Sequence, residues 1–184
     1  GRMDIHIEEK MESKPRKVLD IIKPQPVLEG AGVMLKRSIA TATLDHLDPF
    51  LLFDHFGSDN PDDYIKGFPM HPHRGIETIT YVLEGTVEHS DSLGNTGTLA
   101  AGDVQWMTAG KGLQHAEMFP LLKKDEDNPL ELFQIWLNLP RDKKMVEPHF
   151  KMLWAEDIPH YSTKDKNGKT VDVIVVAGEL HGVK

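Results

Sequence analysis

The sequence predicts an all-β chain, with antiparallel strands closed into a small barrel or sandwich and little helix. Two observations predict it. From Val27 onward, short apolar runs alternate with turn signals: GAG at 30–32, DP at 48–49, GSDNPDD at 57–63, GFP at 67–69, SDSLGN at 90–95, AAGD at 100–103 and AGKG at 109–112. That spacing is the one expected of a sheet protein. The second observation is the lack of any strand–helix alternation of ~30 residues, the mark of a βαβ unit. A length of 184 residues fits one well-packed domain.

Taken in order, residues 1–26 mix charge with Lys, Glu and Pro without a period, and read as a tail followed by an irregular entry. Gly1 and Arg2 ahead of Met3 read as an expression remnant. The domain proper is 27–184. Its best strand is 77–84, where Thr78, Ile79, Thr80, Tyr81 and Val82 form a β-branched and aromatic run closed by EG. Further strands are expected at 86–89, 98–99, 104–108, 113–118, 130–139 and 171–177, each bounded by Gly, Pro, Asp or Asn. A short helix is expected at 142–146 or at 155–158.

Composition narrows the chemistry. Lys and Arg number 21 against 29 Asp and Glu, a net charge of −8, so no basic field draws in a phosphate backbone and direct nucleic-acid binding is not expected. The chain has no cysteine, which removes disulfides, thiolate metal sites and Cys nucleophiles and leaves nitrogen and oxygen to hold any metal. No apolar run approaches the ~20 residues of a membrane span. The sequence reads as soluble and cytoplasmic, with the nucleus also open in a eukaryote. The glycines of GTLAAGDVQWMTAGKG lack the order of a phosphate loop. Ser90 and Asp91 lack the elbow of a serine hydrolase and read as a turn.

Ten histidines make their placement informative. In GFPMHPHRGIET, His71 and His73 are two apart, so on an extended chain both leave the same face. Pro72 biases His71 to an extended conformation. Glu77, four residues past His73, reaches that face if the chain stays extended through Gly75. In LQHAEMF the device recurs with His115 and Glu117. Two such pairs on neighbouring strands, ~4.8 Å apart, converge on one interior point. Three imidazoles and a carboxylate suit Fe(II), Mn, Ni, Cu or Zn and leave positions open for water or substrate. Either Glu117 or Glu77 supplies the carboxylate, the other orienting a histidine or accepting a substrate proton. His6, His46, His89, His149, His160 and His181 read as surface or hydrogen-bonded core. Trp106, Phe133 and Trp136 read as core packing, with an apolar pocket as the alternative.

With the HxH and HxE pairs placed, the sequence resembles the pirin family of the cupin superfamily. The matching stretches are LDPFLLFDHF at 47–56, GFPMHPHRGIETITYVLEG at 67–85, HSDSLGNTGTLAAGDVQWMTAGKGLQHAEMF at 89–119, IWLNLP at 135–140, KMVEP at 144–148 and VVAGE at 175–179. They cover most of the chain from about residue 27, and HPHRGIET and GDVQWMTAG are the most specific. The resemblance implies a cupin, a jelly-roll-like barrel in which His71, His73, His115 and Glu117 bind one divalent transition metal, usually iron. It favours Glu117 over Glu77 as ligand.

Two activities follow from the resemblance. One is quercetin 2,3-dioxygenation, opening a flavonol ring with O₂. There the metal acts as Lewis acid and template for the 3-hydroxylate, and Glu117 serves as ligand or base. The other is a non-catalytic, iron- and redox-sensitive regulatory role through protein partners such as transcription factors. The family carries two cupin domains, so 27–184 corresponds to the N-terminal one with the second absent. A homodimer is one way to cover the apolar face or barrel edge that this leaves.

Overall fold

The computed structural model describes residues 14–184; the expression-remnant reading at Gly1 and Arg2, and His6, lie outside the described residues. Regular structure begins two residues before the expected boundary, with β1 at Gln25–Glu29 paired to β2 at Val33–Ile39. Seven strands make the larger sheet, in the order β1-β2-β3-β10-β5-β8-β11. Of these, β3 is Phe50–Ser58, β5 Ile76–Glu84, β8 Val104–Thr108, β10 Leu130–Asn138 and β11 His149–Leu153. Facing it is a four-stranded sheet, β4-β9-β6-β7, built from β4 Phe68–His73, β9 Leu113–Met118, β6 Val87–Asp91 and β7 Thr96–Leu99. A separate hairpin joins β12 His160–Lys164 to β13 Thr170–Ile174. Every pairing is antiparallel, as expected of an all-β jelly roll.

Period-two alternation decides which side chains meet between the sheets. Val33 and Leu35 of β2, Phe56 of β3, Val82 of β5, Val87 of β6, Leu99 of β7 and Leu132 of β10 form the inner core with Tyr64, Phe119 and Leu130. The same inward rows then turn polar. Arg37 pairs in register with Asp54, Asp54 with Gln134, Gln134 with Thr80 and Thr80 with Gln105, so one polar row crosses five strands of the larger sheet. The opposite face carries Ile79, Tyr81, Val104, Trp106, Ile135 and Leu137, packed against Ile158 and Val176 from the C-terminal segment.

Among the described residues helix is confined to two 3-10 turns, Pro61–Asp63 and Arg141–Lys143. The second overlaps the helix expected at 142–146. The stretch 155–158 forms instead a turn in which Asp157 N and Ile158 N both donate to the Trp154 carbonyl; Pro159 follows and disfavours helical backbone at the residue before it. The strands not anticipated are β1, β2, β3, β11 and β12; β4 is anticipated only as the extended stretch that carries His71 and His73. No helix among the described residues is long and apolar enough to cross a membrane.

Candidate metal centre

In the β4–β9 pair His71 stands opposite His115, and His73 follows two residues on. Their three rings pack with centroids 4.4–4.9 Å apart, and one ligand atom from each lies within 4.8 Å of the others. His71 Nδ1 donates to the Pro69 carbonyl at 2.7 Å, which leaves its Nε2 free to accept a metal. His73 Nε2 faces His115 Nε2 at 3.0 Å. Burial, with the neighbouring His71, lowers His73 to about 4. Burial, with His71, His73 and His89 around it, lowers His115 to about 2. Both are therefore neutral donors near pH 7. Two ring nitrogens aimed at each other can share at most one proton, whereas a divalent cation satisfies both along with His71. The residues fit a divalent transition metal.

Glu117 borders this cluster. Its Oε1 is 3.9 Å from His115 Nδ1, and Gln134 Nε2 donates to it at 3.3 Å. Burial pushes its carboxyl up to about 7 against that hydrogen bond, so a proton leaves it easily only when a cation takes its place. His71, His73 and Glu117 line a cavity of about 580 Å³ together with Arg37, Gln134 and Trp136, a size suited to a small organic molecule.

Glu77 is not brought to this site. The chain does not stay extended through Gly75, whose φ of +71° is left-handed backbone that glycine adopts freely. There the strand leaves the smaller sheet for the larger one. Glu77 emerges on the outer face, opposite Thr108 and Leu137, where it accepts from Trp106 Nε1 and Thr108 Oγ1. The aromatic residues divide the same way. Trp136 lines the histidine cavity, while Trp106 and Phe133 lie in an apolar groove on the outer face. Arg74 is exposed and contacts Met145.

Sequence reasoning missed three contributors. Arg37 and Asp54 enter the cavity wall from β2 and β3, and Gln134 orients Glu117 from β10. The third is the pair His89 and Asp91 on β6, buried behind His115. Its signal is present in HSD at 89–91, which repeats the two-residue spacing of HxH and HxE on the third adjacent strand.

A jelly-roll barrel with inward-facing histidines converging from adjacent strands defines this protein as a cupin. The pirin family model matches residues 32–137, and the chain belongs to the pirin family. Human pirin is 47% identical over 157 residues, which covers 85% of this chain and 49% of the human protein. The crystal structure of a quercetin 2,3-dioxygenase from Acinetobacter baumannii matches with a TM-score of 0.73 and 35% identity, over 89% of this chain and 57% of that one. The nickel(II) complex of the bacterial pirin YhhW from Escherichia coli matches with a TM-score of 0.57 and 28% identity, over 71% of this chain and 54% of that one. The chain spans about half the length of the curated relatives it matches.

Proposed function

We propose that the protein is a metal-dependent flavonol dioxygenase of the quercetin 2,3-dioxygenase type, with Fe(II) as the metal and a flavonoid and O₂ as substrates. One observation carries the reading: the His71, His73 and His115 cluster opens onto a cavity of about 580 Å³ walled by Trp136, Phe68 and Leu52. The Acinetobacter baumannii quercetin 2,3-dioxygenase supports the choice of substrate. The nickel in the Escherichia coli pirin supports a metal at this fold without favouring iron.

In this reading His71, His73 and His115 hold the metal and Glu117 is the fourth donor. A metal bound there supplies Lewis acidity and open coordination positions. The chain's own residues do the rest. Burial keeps His73 and His115 unprotonated and ready as donors. Glu117, raised to about 7 by burial in the metal-free protein and held by Gln134, gives up its proton to become the fourth donor. Trp136, in edge contact with His73 at 5.1 Å between centroids, gives a planar ligand an aromatic wall beside the reacting centre. The test is O₂ uptake by Fe(II)-loaded protein with quercetin, against a His71→Ala/His115→Ala control. Uptake matching flavonol loss and absent from the control is expected. Absence of uptake with stoichiometric iron bound overturns the dioxygenase and leaves the regulatory role.

A further inference from the structure

Behind the metal-facing histidines lies a second buried pair that the dioxygenase reading does not use. His89 is opposite Glu117, and Asp91 opposite His115, in the β6–β9 register. All face the interior, and the side chains of His89 and Asp91 are at most 1% exposed. His89 Nδ1 lies 3.3 Å from His115 Nδ1, on the side of that ring away from His73. His89 Nε2 lies 3.5 Å from Asp91 Oδ2, longer than an ordinary hydrogen bond, and has no hydrogen-bond partner among the described residues; Asp91 is the carboxylate it faces. Phe150 covers the His89 ring, centroid to centroid 5.6 Å.

Donor and acceptor chemistry orders these atoms. Asp91 Oδ1 accepts from the amides of Leu93 and Asn95, and Oδ2 from Asn95 Nδ2, so Asp91 is an acceptor on every side. The only proton available between Asp91 and His89 sits on His89 Nε2. A neutral imidazole protonated at Nε2 is a bare acceptor at Nδ1. His115 Nδ1 must then donate, which leaves His115 Nε2 unprotonated and turned toward His71 and His73.

We infer that Asp91 and His89 form a carboxylate–imidazole relay that locks His115 in the Nδ1–H tautomer and so presents its Nε2 lone pair to the metal. Both are positioning residues that act through His115. Pro69 does the same for His71 with a backbone carbonyl, so two of the three imidazoles have their tautomers set from behind. The relay rests on the metal reading for its purpose, but its tautomer is a property of the metal-free protein and is tested there.

The experiment is long-range ¹H–¹⁵N correlation of the histidine rings in uniformly labelled metal-free protein, followed by Ni(II) titration. Wild type is expected to show His115 protonated at Nδ1 alone. His89→Phe removes the acceptor, so His115 should become a mixture of tautomers and Ni(II) affinity should fall about 10- to 100-fold. His89→Asn returns an amide oxygen near the Nδ1 position and should keep the tautomer, with affinity within about threefold of wild type. Asp91→Asn keeps an oxygen on the two turn amides and turns an NH₂ toward His89 Nε2. It should invert both rings and lower affinity as His89→Phe does. Where His89→Phe fails to fold, Asp91→Asn and His89→Asn carry the same decision. An unchanged His115 tautomer in either disrupting variant overturns the relay. Wild type that shows the tautomer but binds no Ni(II) supports the relay and overturns the metal reading instead.

Discussion

Arg37 and Asp54 meet inside the cavity wall through two parallel hydrogen bonds, Nε to Oδ1 and Nη2 to Oδ2, both 2.8 Å. A third, from Nη1, reaches Glu29 Oε1 at 3.2 Å. Hydrogen bonding to Asp54 raises the guanidinium above its ordinary range, with burial opposing. The cation is thus matched by two carboxylates before any ligand arrives, which makes the cavity a poor receiver of acidic substrates and a better one for neutral phenols. Arg37→Met strands Asp54, whose side chain is 5% exposed. A loss of about 3 kcal/mol is expected in urea unfolding. The double variant Arg37→Met/Asp54→Leu should recover most of it; a double variant no better than the single one would show that the pair matters for packing and not for charge.

Glu117 should make metal binding pH-dependent. Its carboxyl is raised from 4.5 to about 7 by burial, so at pH 6 it holds a proton that a cation must displace. Ni(II) binding by wild type is expected to release about one more proton at pH 6 than binding by Glu117→Gln, read by calorimetry in buffers of different ionisation enthalpy. Equal release would remove Glu117 from the ligand set. The sign for folding is opposite to that of a paired carboxylate. Between pH 4.5 and 7 the folded state binds this proton more tightly than the unfolded chain, so metal-free stability contributed by Glu117 falls as pH rises through that window. Glu117→Gln, without that penalty, should gain on wild type by about 2 kcal/mol between pH 5 and 8.

Glu77 lies on the outer face of the larger sheet, in register with Thr108 and Leu137, and does not line the cavity onto which His71, His73 and Glu117 open. Glu77→Gln should leave Ni(II) stoichiometry and affinity as in wild type. It should cost about 1 kcal/mol of stability through weaker bonds to Trp106 and Thr108, seen as a lower denaturation midpoint and altered Trp fluorescence. A tenfold loss of affinity would place this carboxylate in the site.

What the sequence disclosed followed from chemistry that is local. Strands 104–108 and 113–118 agree with β8 and β9 to the residue, because the AGD and AGKG turns mark the limits of VQWMT and the start of LQHAEM, and Pro120 stands just past the end of the latter. The HxH and HxE pairs were legible because period two alone puts both members on one face. Glu77 was misplaced because one glycine at positive φ moves the chain between sheets, and spacing carries no record of that. Strand β4 holds two prolines in FPMHPH, so only its histidine spacing marked it as extended, while β11 and β12 are five residues each and lack a buried apolar face, so neither looked like sheet. Arg37 and Asp54 needed the pairing of β2 with β3, which no window of local sequence contains.

Gly67 offers a way to disturb the site without touching a ligand. It precedes β4 with φ +60°, and a Cβ built there would stand 2.7 Å from the Glu117 carbonyl oxygen and 3.0 Å from Met118 Sδ. The methionine can move; the carbonyl is backbone of β9, in register with Phe68. Gly67→Ala must therefore either push β9 away from β4, separating His115 from His71, or abandon its own left-handed backbone. Both shift the line of His115 and Glu117 relative to His71 and His73. A destabilisation of about 1–3 kcal/mol is expected, with Ni(II) affinity reduced even at temperatures where the variant is fully folded. Gly94→Ala has the same sign of φ, +83°, with no atom within 4 Å of the added Cβ, and controls for backbone strain alone. If the two variants bind Ni(II) equally well, the spacing of β4 and β9 is not what holds the four side chains in place.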